Sequence, residues 1–263
     1  MKNDLTYRIW ISYYTMLRKD VVRMFRIWGQ TFLPSVVTSV LYFAVFGTIL
    51  GSRIGEMQGV DYMQFVVPGL VMLAVVTNAY ANTSFTFFQS KFFFRGIDEI
   101  LVSPTPPWVM IAGFISGGVI RGVLVGTLVL LISIFFTGLS LSIHSALIML
   151  GFGVLTALVF SLAGLVNGIY AKSIDAINIV PTFVLTPLVY LGGIFFSVHV
   201  LPAWAQSIMY ANPLFYLVNG FRYGFLGITD IPLSMSVLVL AAMIAALVAM
   251  NWYFIRTGLG LKQ

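Results

Sequence analysis

The chain has 263 residues, of which 60% are hydrophobic and 8% are charged, and its formal net charge is +6. Soluble domains usually carry about 25% charged residues, so a mean hydropathy of +1.00 excludes a water-soluble globular domain and makes lipid the main solvent. The sequence contains no cysteine, which excludes disulfide frameworks, cysteine-based metal sites and thiol nucleophiles.

The N-terminal segment 1–30 is predicted to be an amphipathic helix that lies in the membrane interface. Apolar residues recur every four positions from Leu5 to Phe25 and form one slowly drifting helical stripe. Cations interleave with this stripe, where they would lie near anionic lipid headgroups. These interfacial cations are Arg18, Lys19, Arg23 and Arg26. The alternative is an ordinary solvated helix that leads into the first span.

Six segments are long and apolar enough to cross a bilayer, since a span needs about 20 mostly apolar residues. They are residues 31–51, 62–83, 108–136, 145–170, 177–197 and 232–254. The predicted fold is therefore an all-α polytopic membrane protein with six transmembrane helices in a single domain, 1–263. Residues 198–231 are too often broken to form a span and are predicted to be an external re-entrant helix pair before the last span.

The distribution of Lys and Arg predicts the orientation of the chain. Eleven of the 14 lie on the side of the membrane that holds both termini, two lie on the other side, and Arg121 lies within a span. The positive-inside rule then places both termini in the cytoplasm. Because the charges lie in short gaps between apolar runs rather than on one aromatic-studded face, no nucleic-acid partner is expected.

The cytoplasmic connection 84–107 is predicted to contain a short amphipathic helix at 92–104. Ile97, Ile100 and Leu101 fall on one face of it, while Asp98 and Glu99 point elsewhere. A proline-rich run then ends the helix. Such a helix is well suited to dock in a groove of a soluble partner.

Catalytic and metal-binding motifs are absent from the sequence. The eight acidic residues fall in termini or loops, and the two histidines, His144 and His199, are predicted in separate external loops. Neither metal-ligand spacing nor a nucleophile elbow is present. No lysine follows a glycine, so the phosphate-binding loop of an ATPase is missing and the chain is not expected to hydrolyse ATP by itself.

Arg121 is the one ionisable residue that the sequence places inside a span. Burying a cation there is expensive, so Arg121 should face protein or water. It is either a translocation or gating contact, or a structural anchor bonded to backbone carbonyls or to Asn167 or Asn178.

Three blocks of sequence carry a family resemblance. The first is Pro181–Pro187 with Leu191–Ser197, the second comprises Leu201-Pro202, Tyr210, Asn212-Pro213-Leu214 and Phe221-Arg222-Tyr223-Gly224, and the third is Ile97–Pro104. Together they resemble the permease subunits of ABC-2 type transporters, in the branch of drug-resistance and nodulation-factor export permeases. The resemblance covers essentially the whole chain and is closest to a small bacterial inner-membrane permease that is paired with its own ATPase.

The resemblance implies that the chain forms a homodimer with two copies of a separate ATPase. That subunit would bind ATP and Mg²⁺, so no cofactor is expected on this chain. The N-terminal helix and the helix of the first cytoplasmic loop, the coupling helix, are expected to contact the ATPase. Carried onto this sequence, the coupling element comprises Arg95, Ile97, Asp98, Glu99, Ile100, Leu101, Ser103 and Pro104.

The resemblance also implies a pathway between the two permease subunits, lined largely by the first, second and fifth spans. Position and polarity select as candidate pathway residues Tyr42, Phe46, Asn78, Asn82, Arg121, Thr186 and Tyr190. For each aromatic residue the alternative is packing against lipid or another helix. The expected function is export of an amphipathic, lipid-like or glycan-type substrate across the inner membrane.

Two other functions are considered. A membrane-embedded enzyme acting on lipid or glycan would need a convergent acid/base or nucleophile set near one interface. An ion-coupled carrier usually keeps ionisable groups near the midplane, and the almost empty midplane disfavours it.

Overall fold

The computed structural model describes residues 2–93, 96–103, 105–138 and 142–260. Within these ranges the α-helices are α1 (Lys2–Arg26), α2 (Trp28–Tyr42), α3 (Gly51–Ile54), α4 (Tyr62–Phe92), α5 (Gly96–Val102), α6 (Pro107–Thr137), α7 (Ile143–Tyr170), α8 (Ile174–Val180), α9 (Thr186–Tyr190), α10 (Ala203–Ala211), α11 (Pro213–Leu226) and α12 (Leu233–Thr257). Strands β1 (Glu56–Met57) and β2 (Val60–Asp61) pair as an antiparallel hairpin. The all-α fold is confirmed.

Helix α4 lies at the centre of the bundle. It packs against α6, α7 and α11, and 78% of its most apolar stretch is buried, against 11% for the peripheral α12. The close approach of α7 depends on glycine, since a Cβ built on Gly164 would lie 2.5 Å from the backbone oxygen of Tyr80. In a membrane the hydrophobic effect does not drive helices together, so their association depends on close packing, which small residues permit.

The helix ends follow local capping chemistry. The side chains of Asp61, Ser142 and Asn212 accept hydrogen bonds from the first-turn amides of α4, α7 and α11, which satisfies donors that a helix start leaves open. Gly138 and Gly227 end α6 and α11 in the left-handed conformation, where glycine carries no Cβ penalty.

Two segments depart from α-helical winding. Residues Phe43–Leu50 join α2 to α3 as a π-helical segment, and Pro181–Leu185 join α8 to α9 in the same way. In the second segment the Thr186 hydroxyl donates to the Pro181 carbonyl at 3.0 Å. The Pro181 carbonyl also accepts from the Thr186 backbone amide, so this carbonyl is bonded twice at the end of the π-helical segment.

The bundle has two ends. Helices α1 and α5 lie at the α1 end, and the β-hairpin with α10 lies at the hairpin end. Between α9 and α10 the chain is not α-helical, and a short 3₁₀ turn occupies Val198–Val200. Helices α10 and α11 lie within residues 198–231; that this pair is external and re-entrant stays a prediction.

Within the described residues, five helices are long and apolar enough to cross a membrane: Trp28–Gly47, Tyr62–Phe92, Pro107–Thr137, Ile143–Tyr170 and Leu233–Thr257. The predicted fifth span corresponds to a shorter apolar helix, Ile174–Tyr190. It ends before Ser197 because Gly193 adopts a positive φ of 72°, which breaks helical winding. The count of six spans and the orientation stay predictions.

The second predicted span is longer than its hydropathy indicates. Helix α4 continues through the polar residues after Thr83 and ends at Phe92, so most of the predicted connection 84–107 is helix. The predicted helix at 92–104 is confined to Gly96–Val102 within the described residues. Partners on α1 explain the extension, because they satisfy the polar side chains of the last turns of α4.

Candidate functional site

Helix α5 is anchored on one side and exposed on the other. Ile97 is 2% exposed and lies in the same buried cluster as Phe114 of α6. Glu99 is exposed and lines a pocket with Thr15 and Lys19 of α1, and Leu101 and Val102 are 43% and 88% exposed. The sequence predicts Leu101 on the same face as Ile97, and positions four apart do share a helical face; Leu101 is nevertheless exposed where Ile97 is buried.

The other residues of the predicted coupling element are placed as follows. Ile100 is half-buried, and the Ser103 hydroxyl donates to its carbonyl at 2.7 Å, which closes the helix. Arg95, Pro104 and the side chain of Asp98 lie outside the described residues.

Helix α1 packs along the first half of α6. The Tyr13 hydroxyl lies 3.0 Å from the Ser116 hydroxyl, and a Cβ built on Gly113 would meet the sulfur of Met16 at 2.8 Å. The predicted stripe therefore faces the protein for most of its length. A second apolar face points outwards and includes Trp10, which is 62% exposed.

The four predicted interfacial cations line one groove of about 570 Å³ between α1 and the last turns of α4. Arg18 and Arg26 are exposed, whereas Arg23 is half-buried. Arg23 donates to Gln89 at 3.0 Å, to Asn82 at 3.2 Å and to the Thr86 hydroxyl. This arginine thus ties α1 to α4.

Asp20 and Asp230, which the sequence assigns to a terminus and a loop, are both buried. Asp20 is 3% exposed and lies 3.5 Å from the Arg23 guanidinium. Burial raises the pKa of Asp20 to about 6, against the opposing attraction of Arg23 and Lys19. Its second carboxylate oxygen has no hydrogen-bond partner among the described residues.

Arg121 lies within α6 and is bound by polar groups from two other helices. Its Nε donates to Asn78 Oδ1 at 3.2 Å, and Nη2 donates to the Thr31 carbonyl at 3.4 Å. The backbone-carbonyl part of the anchor prediction agrees with this geometry, whereas the partners Asn167 and Asn178 are wrong. Asn167 instead donates to Ser84 and to the Ile177 carbonyl.

A groove of about 400 Å³ opens between α2 with its π-helical extension, α4, and the α8–α9 segment. We call it the aromatic groove. Its wall is formed by Tyr42, Phe46, Tyr190 and Phe195, its floor by Tyr80, Leu185 and Val189, and its edge by Thr77, Asn178, Thr182 and Thr186. Ring centroids of Phe46 and Phe195 lie 4.7 Å apart with the planes 25° from parallel.

The aromatic groove brings together four of the seven candidate pathway residues. Tyr42, Phe46, Thr186 and Tyr190 all line it. The other three face the bundle interior: Asn78 and Arg121 bind each other, and Asn82 binds Arg23. The candidate residues, which were selected by position and polarity, therefore lie in two different environments.

Sequence reasoning missed the α4 side of the groove. Leu73, Thr77, Tyr80 and Ala81 all line it, and their spacing places them on one helical face. That spacing was available in the sequence. It is hidden because Thr77, Asn78 and Asn82 put polar groups on more than one side of α4, so no face stands out by hydropathy.

The hairpin end is held by a buried ion pair. Arg222 Nη1 lies 3.3 Å from Asp230 Oδ2, with side-chain exposures of 1% and 0%. The guanidinium also donates to the Gly193 carbonyl and lies 3.9 Å from the Phe65 ring centroid. Gln58 of the β-hairpin donates to Asp230 at 2.6 Å. The sequence places Arg222 in an external loop and gives no sign of this pair.

Comparison with known proteins gives the family. Residues 11–226 match the model of the family described as ABC-2 type transporter. The chain is 50% identical over 254 residues to the inner membrane transport permease YadH of Escherichia coli strain K12, an alignment that covers 97% of this chain and 98% of YadH.

More distant relatives belong to the branch that the sequence motifs indicate. Nodulation protein J of Rhizobium leguminosarum bv. viciae is 25% identical over 234 residues, with 86% of this chain and 89% of that protein covered. The daunorubicin resistance ABC transporter permease protein DrrB1 of Streptomyces coeruleorubidus is 26% identical over 216 residues, with 77% and 72% covered. The chain therefore belongs to the ABC-2 type transporter family, as a multi-pass inner-membrane permease rather than an ATPase.

Proposed function

We propose that the chain is the transmembrane half of an exporter that uses ATP hydrolysed by a separate subunit. In this proposal two copies of the chain pair with two copies of the ATPase, and an amphipathic, lipid-like or glycan-type substrate leaves the cytoplasm between the permease subunits. The family supports the division into permease and ATPase. Coupling to ATP hydrolysis, the two copies of each subunit, the direction of transport and the substrate are what we propose beyond it.

The observation that carries the proposal is the two-sided character of α5. Ile97 packs into the bundle, while Leu101 and Val102 are exposed. Val102 at 88% exposure is an apolar side chain with a carboxylate near it on a short helix, a combination suited to a groove on a protein partner. A force that moves this helix would therefore also move α4 and α6, which it contacts.

The packing of α1 supports a second point of contact. Arg23 donates to Gln89 and Thr86 in the last turns of α4, and Lys19 of α1 lines a pocket with Glu99 and Ile100 of α5. A movement of α5 against the partner would therefore also displace α1. We propose that α1 and α5 form one mechanical unit at the ATPase side.

The test uses Val102→Glu in the full chain, purified from its native membrane together with the ATPase that accompanies it. A carboxylate placed in an apolar contact loses its hydration without gaining a hydrogen-bond partner, which weakens the contact. We therefore expect ATP hydrolysis by the reconstituted complex to fall at least about tenfold. The matched control is Val200→Glu, because Val200 is 64% exposed at the hairpin end.

Charge reversal of Glu99 and Asp98 together is the second arm. Unchanged hydrolysis and unchanged recovery of the ATPase with both the double reversal and Val102→Glu would remove α5 from the proposal. Loss of hydrolysis with Val200→Glu to the same degree would show that the assay reports general damage.

A further inference from the structure

The groove of about 570 Å³ between α1 and the last turns of α4, which we call the basic groove, carries more positive charge than its own residues neutralise. Four cations line it, and Asp20 is the only carboxylate among the described residues that do so. Asp20 lies 3.5 Å from the Arg23 guanidinium and offsets one charge of the four. The α4 wall contributes neutral groups, from Thr86, Gln89 and Ser90. The groove is therefore suited to attract an anion.

The cations of the basic groove are held in different ways. Arg23 donates to Asn82, Thr86 and Gln89, so α4 fixes its position. Arg18 and Arg26 are exposed, and the ion pairs found among the described residues include neither of them. A guanidinium binds phosphate through two parallel hydrogen bonds. Arg18 and Arg26 thus keep this capacity for a ligand.

The exposed stripe of α1 that carries these arginines also carries membrane anchors. Trp10, Tyr14, Arg18, Val22 and Arg26 follow one another at intervals of four and share one side of the helix. Trp10 and Tyr14 are 62% and 52% exposed, and such side chains lie at the level of lipid head groups. Because an interfacial helix lies parallel to the membrane plane, the arginines of the stripe lie at the level of the lipid phosphates.

The apolar part of the basic groove favours a phospholipid over a soluble anion. Val22 lines the groove between the two arginines and is 45% exposed. It gains from contact with a glycerol backbone or an acyl chain and gains nothing from inorganic phosphate. Arg18 and Arg26 are about 12 Å apart along the helix axis, so both long side chains can reach one head group between them. The excess of cations repels the ammonium of a zwitterionic head group.

We propose that the basic groove binds the head-group phosphate of an anionic membrane phospholipid, such as phosphatidylglycerol, as a resident lipid that joins α1 to α4. Arg18 and Arg26 bind the phosphate, Val22 contacts the glycerol backbone, and Arg23 adds positive charge from the α4 side. The site is separate from the aromatic groove. Binding there needs neither the ATPase nor ATP, so it is independent of the proposed function.

The experiment uses the absence of cysteine from the chain. Val22→Cys places a single thiol in the basic groove, and its reaction rate with uncharged N-ethylmaleimide is measured on the full chain in nanodiscs without the ATPase. The nanodiscs contain phosphatidylcholine alone or mixed with an equal amount of phosphatidylglycerol. We expect phosphatidylglycerol to slow the reaction about fivefold, because an occupied site covers the thiol.

Each rate is divided by that of Val102→Cys in the same lipid. Val102 is 88% exposed on α5, at the same end of the bundle, and it does not line the basic groove. The ratio removes the general effect of a negatively charged surface on thiol ionisation, which acts on both positions.

Arg18→Gln combined with Arg26→Gln is the decisive variant. Two cations near a lipid surface together contribute about 30-fold in affinity, so the double variant should lose the protection of Val22→Cys. Both side chains are exposed, so the melting temperature should change little. The matched control is Arg53→Gln combined with Arg256→Gln, which removes the same charge from two exposed positions outside the groove and should keep the protection.

Protection that survives in Arg18→Gln with Arg26→Gln, or that disappears equally in the control, would overturn the proposal. Inorganic phosphate or a polyglutamate peptide, added to phosphatidylcholine nanodiscs, should not protect Val22→Cys. Protection by either one equal to that by phosphatidylglycerol would assign the groove to a free anion or to an acidic protein segment instead. Loss of protection during ATP turnover by the complex would make the lipid cargo rather than a resident.

Discussion

Arg222 and Asp230 form the most deeply buried charged pair described in this chain. Each side chain is at most 1% exposed, and Asp230 also accepts bonds from Gln58 and Ser197. A buried pair of this kind is worth little compared with two apolar residues, but breaking it leaves a charge in a site that cannot hydrate it.

We therefore expect Asp230→Ala to destabilise the chain by about 3–5 kcal/mol and to lower the melting temperature in detergent. Arg222→Met combined with Asp230→Ala should recover most of that loss, since no charge is left unpaired. A double variant as unstable as Asp230→Ala alone would mean that the hydrogen bonds of Asp230, rather than its charge, hold the hairpin end.

Asp20 introduces a pH dependence at the α1 end. Burial raises its pKa from 3.8 to about 6, so between these values the folded chain holds a proton that the unfolded chain releases. Protonation therefore favours folding, and the free energy of unfolding falls as the pH rises through this interval.

Asp20→Asn should abolish that fall, which amounts to about 2–3 kcal/mol at most. The measurement is denaturant unfolding in detergent at several pH values between about 4 and 7, followed by intrinsic fluorescence. Asp175→Asn, which removes one exposed carboxylate, is the control. A pH profile that Asp20→Asn leaves unchanged would assign the dependence to another group.

At the scale of elements, the packing of α7 on α4 depends on the absence of a side chain at one position. A Cβ on Gly164 would meet the Tyr80 carbonyl oxygen at 2.5 Å, and a backbone atom in the centre of the bundle cannot move aside. Gly153 in the same helix has nothing within 4 Å of such a Cβ, so the two positions form a matched pair.

Gly164→Ala is expected to destabilise the chain by about 1–3 kcal/mol through overpacking. Gly153→Ala should be neutral or stabilising by up to about 1 kcal/mol, because alanine favours the helix. Thermal unfolding of the two variants side by side tests this directly, and an equal effect at both positions would contradict the packing.

The long helices were predictable because a hydrophobic run is a local property of the sequence. What the sequence does not show is the set of contacts between helices. The polar turns of α4 after Thr83 are helical because Arg23 of α1 binds them, and no pattern within α4 shows this. Asp230 is buried for the same reason, since Gln58 and Arg222 reach it from other elements. Asp20 pairs with Arg23 within α1 and is buried by the packing of α1 on α6 at Gly117.

At the scale of the whole molecule, the candidate pathway residues lie in two separate regions. One is a hydrogen-bonded interior that includes Arg23, Asn78, Asn82 and Arg121. The other is the uncharged aromatic groove on the side of the bundle. Four of the seven predicted pathway residues, Tyr42, Phe46, Thr186 and Tyr190, line this groove.

The π-helical segments have a consequence for insertions and deletions. A π turn holds one residue more than an α turn, so Phe43–Leu50 and Pro181–Leu185 carry surplus chain. Deleting one residue there restores α winding and leaves the flanking helices in phase, whereas a deletion within α7 rotates everything beyond it by about 100°. The walls of the aromatic groove can therefore change in length without a change in the order of the bundle, whereas a change in length within the central helices would alter every contact beyond it.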